Sequence, residues 1–404
     1  MLAAWRAATL GHRVVLLEAN RHLGAKLRIS GGGKCNLTHD GNVKAVLEAF
    51  PKEQGRFLKR ALHAFSNDDL RNLLRSAGVE TYVRENGRVF PVDCPGSAVQ
   101  VVAALEAFVL GSGVDVKTNV RVSGMLGAPP HLEALQMEDG TLFKADFFIL
   151  ATGGASYPET GTRGEILAWL RELGVPVNPW FPALAPIPLK QPRPEWEGVA
   201  LRGGTLCLSA GKQGKRLARV LEDILFTRAG ISGPAALALS SRTEHTRRGG
   251  PAWLSYALVS ETPEALDAKL VEAQHLHPHL LVRTWLQEWL PERLVQEALV
   301  IARISAMQRL KDLPRKARQD LRELLLAFPL GEPGSVPLSR GEVSAGGVCL
   351  ETVDPGTMAL KGWDNLRCCG ELLDVDGPIG GYNLQAAFST GYIAGSIPSS
   401  LSPP

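Results

Sequence analysis

Three consecutive glycines, Gly31, Gly32 and Gly33, lie between Ser30 and the run Lys34, Cys35, Asn36. Glycine gives up side-chain contacts and loses more chain entropy on folding than any other residue, so a packed element avoids three in a row. One reading is a flexible surface loop; the other is a backbone that lies flat against a ligand with nothing projecting from it. Glu18 ends the apolar run that starts at Arg13. An acid at the end of the second strand of a dinucleotide-binding unit accepts hydrogen bonds from a ribose hydroxyl pair. A second apolar run, Phe147–Leu150, breaks into Thr152, Gly153 and Gly154, with Tyr157 and Pro158 just beyond. Such a break lets the backbone approach a ligand at the carboxyl end of a sheet, although a plain strand–turn accounts for it as well. Near the C-terminus, Gly370, Glu371 and Asp374 precede Gly380, Gly381, Tyr382 and Asn383. The latter four open an apolar helix, whose free N–H groups favour an anionic or electron-rich ligand edge. An acid just before it can hold a sugar-alcohol chain.

The elements that must position these residues are legible in outline. Ala3, Ala4, Ala7, Ala8 and Leu10 form the apolar stripe of a first helix that Gly11 ends. Arg13–Glu18 reads as a buried strand. Residues 43–77 read as helical, with Ser66 as an N-cap and Gly78 as a stop. Residues 80–92 read as a hairpin turning at Asn86-Gly87, 97–111 as a helix, and 114–125 and 132–154 as strands. Proline-rich sequence near 180 resembles a domain crossing. Residues 199–260 read as short strands with glycine turns and 263–328 as successive helices. From about 341 the chain returns to glycine-rich, strand-like sequence. The division expected is 1–187 for the first part of a nucleotide-binding domain, 188–340 for an insertion and 341–404 for its C-terminal part.

Composition narrows the classes. The 404 residues are 45% hydrophobic and 21% charged, which suits a globular chain with room for two or three domains. A net charge of +3 is too small to imply a nucleic-acid or membrane partner. No apolar run approaches the ~20 residues of a membrane span, and the N-terminus lacks a secretory signal, so the expectation is a cytoplasmic protein. Six scattered cysteines (35, 94, 207, 349, 368, 369) lack a CxxC pair and read as reduced thiols. No metal constellation is present; His275, His277 and His279 surround Pro278 in a stretch that reads as a solvated loop.

Taken together, "ISGGGKCNLT", "GRVFP", "ATGGASYPETGTRGE", "LFTRAGISGP", "GGVCLETVDPGTM" and "CGELLDVDGPIGGYNLQAAFSTGYIAG" closely resemble the BaiN-like or aminoacetone-oxidase-like family of bacterial NAD(P)/FAD-dependent oxidoreductases. The resemblance runs from residue 13 to 396. It implies an α/β fold: FAD in a two-dinucleotide, Rossmann-like domain of glutathione-reductase type, with an inserted small β-barrel plus helices. By the same resemblance, Glu18 holds the adenosine ribose and Lys26 lies near the ribose or pyrophosphate. Ser30, Gly31, Gly32, Gly33, Lys34, Cys35 and Asn36 line the flavin, with Val120, or Val122 nearly as well, at the adenine edge. Thr152 and Gly153 pass the diphosphate. Gly370, Glu371 and Asp374 take the pyrophosphate and ribityl chain, and Gly380, Gly381, Tyr382 and Asn383 face the pyrimidine edge. Candidate proton handlers are Lys34, Cys35, Tyr157 and Tyr382.

Family members begin with a strand and a G-x-G-x-x-G turn about 20 residues before the acid, whereas only 17 residues precede Glu18. The expectation is that the chain as given holds FAD weakly and that an upstream-extended chain holds it well. The function expected is hydride transfer through FAD to or from a small organic substrate, with amine oxidation and double-bond reduction both open. NAD(P)H is expected at most as a transient electron donor, because the insertion shows no second G-x-G-x-x-G. Two alternatives stand beside this: flavin-dependent RNA modification, and a truncated chain without activity. The first draws on the basic run Arg303, Arg309, Lys311, Arg315, Lys316, Arg318 and Arg322. Asp312, Asp320 and Glu323 dilute that run, which favours a solvated helical face.

Overall fold

The protein is described by a computed structural model that covers residues 1–92 and 96–398; Cys94 lies outside them. The chain divides into two compact units, one formed by Met1–Phe181 with the segment from Glu342 onward, the other by Pro182–Gly341.

The first unit is a mixed α/β structure of Rossmann type. Helix Leu2–Thr9 buries Leu2, Ala3, Ala4 and Ala7, and Gly11 at φ +90° turns the chain into strand Val15–Leu17. That strand pairs in parallel with Asp115–Lys117, and Phe148–Leu150 pairs in parallel with Leu366–Cys368. Leu366, Cys368 and Leu372 are fully buried in the core beneath the second pair, as expected where helices cover a parallel sheet. Residues 43–77 fold as three helices, Val43–Glu48, Lys52–Ala64 and Asn67–Ser76. Pro51 starts the second, and Ser66 with Asp69 forms a capping box on the third. Strands Thr81–Val83 and Arg88–Pro91 form the hairpin, and Ser97–Gly111 is helical. The C-terminal helix, Tyr382–Gly395, packs against Leu2–Thr9 and Lys52–Ala64.

The second unit holds two four-stranded antiparallel sheets and a set of helices around one core. One sheet runs Ile187–Pro188, Gly230–Ser232, Ile224–Thr227, Ala200–Leu201. The other runs Arg216–Leu221, Thr205–Ser209, Trp253–Ala257, Phe328–Gly331. Helices Pro263–Leu276, Val282–Leu286, Glu292–Ile301 and Arg315–Leu326 follow. One expectation fails here. Residues 199–260 are not all short strands, because Pro234–Gly249 is a helix of 16 residues. Pro234 sits at its first turn, where the missing N–H costs nothing. Ala235, Ala236 and Leu239 supply its buried stripe. Its polar second half buries Glu244 between Arg247 and Arg248, which masks the helical period.

Among the described residues no helix is long and apolar enough to cross a membrane, and no group of three or more His, Cys, Asp or Glu is placed to hold a metal. Cys35, Cys207, Cys349, Cys368 and Cys369 are buried free thiols. His275, His277 and His279 are exposed, at and just past the end of helix Pro263–Leu276.

Candidate functional site

The glycine run forms a tight 3₁₀ turn, Ser30–Gly33, after the short helix Ala25–Ile29. Gly31, Gly32 and Gly33 all take positive φ (59°, 67° and 82°), and Cys35 follows at 57°. A Cβ on Gly32 or Gly33 would meet nothing, so backbone conformation is what calls for glycine there. At Gly31 a Cβ would lie 2.9 Å from the Asn36 nitrogen, so conformation and space both demand it. The turn therefore presents bare backbone on an open side. The Asn36 side-chain Oδ1 beside it is buried and has no hydrogen-bond partner among the described residues.

Glu371 joins the separate segments of this site. Its Oε1 accepts from the Ser344 backbone N–H at 2.7 Å and the Ser156 hydroxyl at 3.2 Å. Its Oε2 accepts from the Lys26 ammonium at 2.5 Å, and Lys26 also donates to Ser156 Oγ at 2.5 Å. Ser344 Oγ in turn accepts from the Ala155 and Ser156 N–H groups at 2.8 and 2.9 Å. Ser156 and Ser344 are fully buried. Gly154 is the adjoining constraint, since a Cβ there would lie 2.6 Å from Ser344 Oγ and 2.9 Å from Glu371 Cδ. Gly153, at φ +74°, makes the turn that delivers this segment to Glu371; Thr152 before it is exposed.

The start of the C-terminal helix meets the end of the glycine segment. Gly381, at φ +93°, comes so close to Thr38 that a Cβ would lie 2.4 Å from its carbonyl. The Tyr382 ring stacks on His39 with centroids 4.7 Å apart and meets Phe50 edge-on. Asn383 accepts from Gly377 N–H at 2.8 Å and donates to its carbonyl at 2.9 Å, which closes the Gly377–Tyr382 turn. Gly370, at φ +74°, donates its N–H to Thr390 Oγ1 at 3.0 Å.

Glu18 belongs to a different corner. Its Oε1 accepts from the Asn20 backbone and side chain, both at 2.8 Å, and Asn20 Nδ2 also donates to the Thr160 carbonyl. Val120 donates its N–H to the Glu18 carbonyl at 3.0 Å, which places these two expected residues side by side.

Two further expected ligands are turned toward the protein itself. Asp374 Oδ1 accepts from Gly346 N–H at 3.1 Å and Oδ2 from Asn178 Nδ2 at 2.6 Å. Cys35 is fully buried among Leu27, Leu37, Leu70 and Leu74, and burial pushes its thiol up to about 11. Burial also raises the phenol of Tyr382, and that of Tyr157 with help from the Glu342 and Glu159 charges. Tyr157 carries the strained backbone of φ +54°. Lys34 is exposed. Ser156, Ser344, Asn178 and His39 were missed in sequence. Ser156 lies within the stretch "ATGGASYPETGTRGE", but nothing in one sequence shows that Ser344 and Asn178 meet residues so distant in the chain.

Parallel strand pairs, an acid at a strand end and glycine turns converging at the carboxyl ends of the strands define a Rossmann-type nucleotide-binding fold. The chain belongs to the HI0933-like protein Rossmann domain family, whose model matches residues 1–397. It is 28% identical to the ribosomal RNA dihydrouridine synthase of Escherichia coli strain K12, over 97% of this chain and 93% of that one. It is 29% identical to the 3-dehydro-bile acid delta(4,6)-reductase of Clostridium scindens, over 95% and 92%. Among solved structures, it resembles the 3-ketosteroid-delta4-(5alpha)-dehydrogenase of Rhodococcus jostii RHA1 with a TM-score of 0.51 at 13% identity, covering 100% of this chain and 94% of that one, a likeness of fold alone.

Proposed function

We propose that this chain is an FAD-dependent oxidoreductase that adds a hydride and a proton across a carbon–carbon double bond conjugated to a carbonyl. The carrying observation is the bare backbone of Gly31–Gly33 next to the orphaned Asn36 Oδ1. A buried acceptor without a partner costs about 1–3 kcal/mol. It calls for an N–H donor from outside the chain, which the imide edge of a flavin provides, and a flat ring needs a face without side chains. FAD thus fits the residues present. Glu18 would take the ribose hydroxyls, Lys26 the diphosphate charge, and the helix start at Tyr382 the electron-rich ring edge. When bound, FAD supplies the hydride chemistry.

The protein's own part is placement and the proton. Cys35 stays a packed thiol at neutral pH. Tyr157 and Tyr382 keep their protons there, and of the two, Tyr157 stands on a backbone fixed by Ser156 and Pro158. We assign it as the proton donor. Asp374 and Asn383 act as positioning residues, since their polar atoms are spent on Asn178, Gly346 and Gly377.

The reductive direction draws on the names of the relatives. Dihydrouridine is uridine with two hydrogens added across a ring double bond beside a carbonyl, and a delta(4,6)-reductase removes double bonds of a steroid nucleus. Both saturate an activated alkene. A second reading follows from the E. coli relative's name, with the alkene being a uracil ring carried in RNA. The test is to load the purified chain with FAD, reduce it anaerobically with dithionite, and add cyclohexenone, a 4-en-3-one steroid or uridine-containing RNA. Reoxidation with a product two hydrogens heavier is expected for one of them. Failure of all three, with flavin reduction by amines instead, would replace the reading by amine oxidation. NADH and NADPH are compared with dithionite as electron donors in the same cell.

A further inference from the structure

Three of the seven cations in the basic run between Arg303 and Arg322 have partners in the helical part of the second unit, while Arg303, Lys311 and Arg315 are exposed. Lys316 pairs with Asp320 at 2.7 Å, Arg318 with Asp267 at 3.2 Å and with Gln274 at 2.9 Å, and Arg309 shares a hydrogen bond with His279. A second set of open cations lies beside an aromatic ring on one sheet. The hairpin of strands Thr205–Ser209 and Arg216–Leu221 carries Lys212, Lys215, Arg216 and Arg219, all exposed, and among the described residues none of them forms an ion pair. Their acidic neighbours lie beyond the far end of the strand, and Asp223 there is held by the Gly203 N–H.

The register of the sheet shows what lies beside these cations. Arg219 stands opposite Cys207, which stands opposite Ser255; Arg216 stands opposite Ser209, which stands opposite Trp253. Partners across antiparallel strands share a face. Leu206, Leu208, Leu254 and Tyr256 turn the other way into the core and are fully buried, whereas Trp253 and Ser255 are half-buried. This face is therefore ordered from exposed arginines on the edge strand, through the buried Cys207 and the half-buried Ser209, to the half-buried indole on the third strand. The Lys212 ammonium sits 5.4 Å from the centre of the Trp253 ring.

We propose that this face is a platform for single-stranded RNA, with phosphates on Arg216, Arg219 and Lys215 and a base stacked on Trp253. The proposal rests on the second reading above and names the surface that would bring such a substrate to the protein. Cations bordering a flat sheet that carries an aromatic ring match the two demands of a single strand, backbone charge and a stacking partner. Ser209, small and half-buried between Arg216 and Trp253, leaves room there for a planar base. Charged edge strands also guard a sheet against pairing with another sheet, but that role places no demand on an indole two strands away.

The test is fluorescence anisotropy of the FAD-loaded full chain with a fluorescein-labelled, uridine-rich 20-nucleotide RNA across a salt series. Wild type is compared with Arg216→Gln/Arg219→Gln and with Trp253→Ala. Losing two phosphate contacts should weaken binding at least tenfold and flatten the log–log salt slope by about 1.4. Trp253→Ala should weaken binding about tenfold with the slope unchanged. Thermal melts and the flavin spectrum of each variant separate a folding defect, or failure of the flavin reading, from loss of this surface. Equal binding by all three proteins overturns the proposal. So does a polyglutamate peptide that competes as well as RNA, or a dimer that Trp253→Ala dissociates.

Discussion

Lys26 Nζ lies 2.5 Å from Glu371 Oε2, across 345 residues of chain, and the two side chains are only partly exposed, at 33% and 16%. The Glu371 carboxylate is thus a tie between the helix before the glycine turn and the segments at Ser156 and Ser344, and Lys26 is the cation in that tie. Lys26→Met should lower FAD affinity at least tenfold, through the lost charge, while Glu371 keeps its Ser344 and Ser156 donors. Glu371→Gln should cost stability instead, about 1–3 kcal/mol, by weakening three segments at once. Flavin fluorescence titration and thermal melts read the two effects separately. A Lys26→Met chain that holds FAD as well as wild type would remove Lys26 from the cofactor site.

The glycines should divide by mechanism. Gly381→Ala drives a Cβ into the Thr38 carbonyl in a left-handed conformation, so a loss of about 2–4 kcal/mol is expected. Gly32→Ala meets open space and bears only the conformational penalty, ~1–2 kcal/mol. It should nonetheless reduce FAD affinity, because its methyl group projects from the bare face. Chemical denaturation gives the first comparison and FAD titration the second. Unimpaired FAD binding by Gly32→Ala would place the flavin elsewhere.

Cys35 predicts an alkaline limit. Burial raises its folded thiol to about 11, from 9.0 for the solvated group. The protonated form is favoured in the folded state, so this contribution is full below pH 9. It is lost as pH rises from 9 towards 11, where only the unfolded chain releases the proton. Cys369, raised to about 11 by the same cause, adds to the slope. Stability should therefore fall between pH 9 and 11, and Cys35→Ala should make the fall shallower. Iodoacetamide at pH 7.5 should leave Cys35 unmodified in the folded chain; rapid alkylation there would contradict the buried placement.

Tyr157→Phe should slow alkene reduction by about 10²-fold or more, the usual worth of a general acid, and leave the flavin spectrum and its affinity unchanged. Tyr382→Phe keeps the ring on His39 and Phe50 and should change turnover little. Equal losses from the two variants would refute the assignment of the proton to Tyr157.

Local instructions were readable from the chain alone. Gly11 as a helix stop, Ser66 as an N-cap, the Asn86-Gly87 hairpin, the helix Ser97–Gly111 and the helix opening after Gly381 all depend on residues within a few positions of each other. So do the chemical types at the site: an acid ending a strand, glycines where the backbone turns left-handed, an asparagine beside them. The helix Pro234–Gly249 was hidden because its polar half buries a charge rather than an apolar stripe. Tertiary structure alone decided the pairings: Lys26 with Glu371, Ser344 with Ser156, Asp374 with Asn178 and Gly346, and Thr38 under Gly381. It also turned Cys35 inward, left Asn36 Oδ1 without a partner among the described residues, paired part of one basic run and set the hairpin cations beside Trp253. The physical reason is that hydrogen bonds and ion pairs act over a few ångströms of space. One sequence specifies which groups exist, and only the packed chain brings groups hundreds of residues apart within that reach.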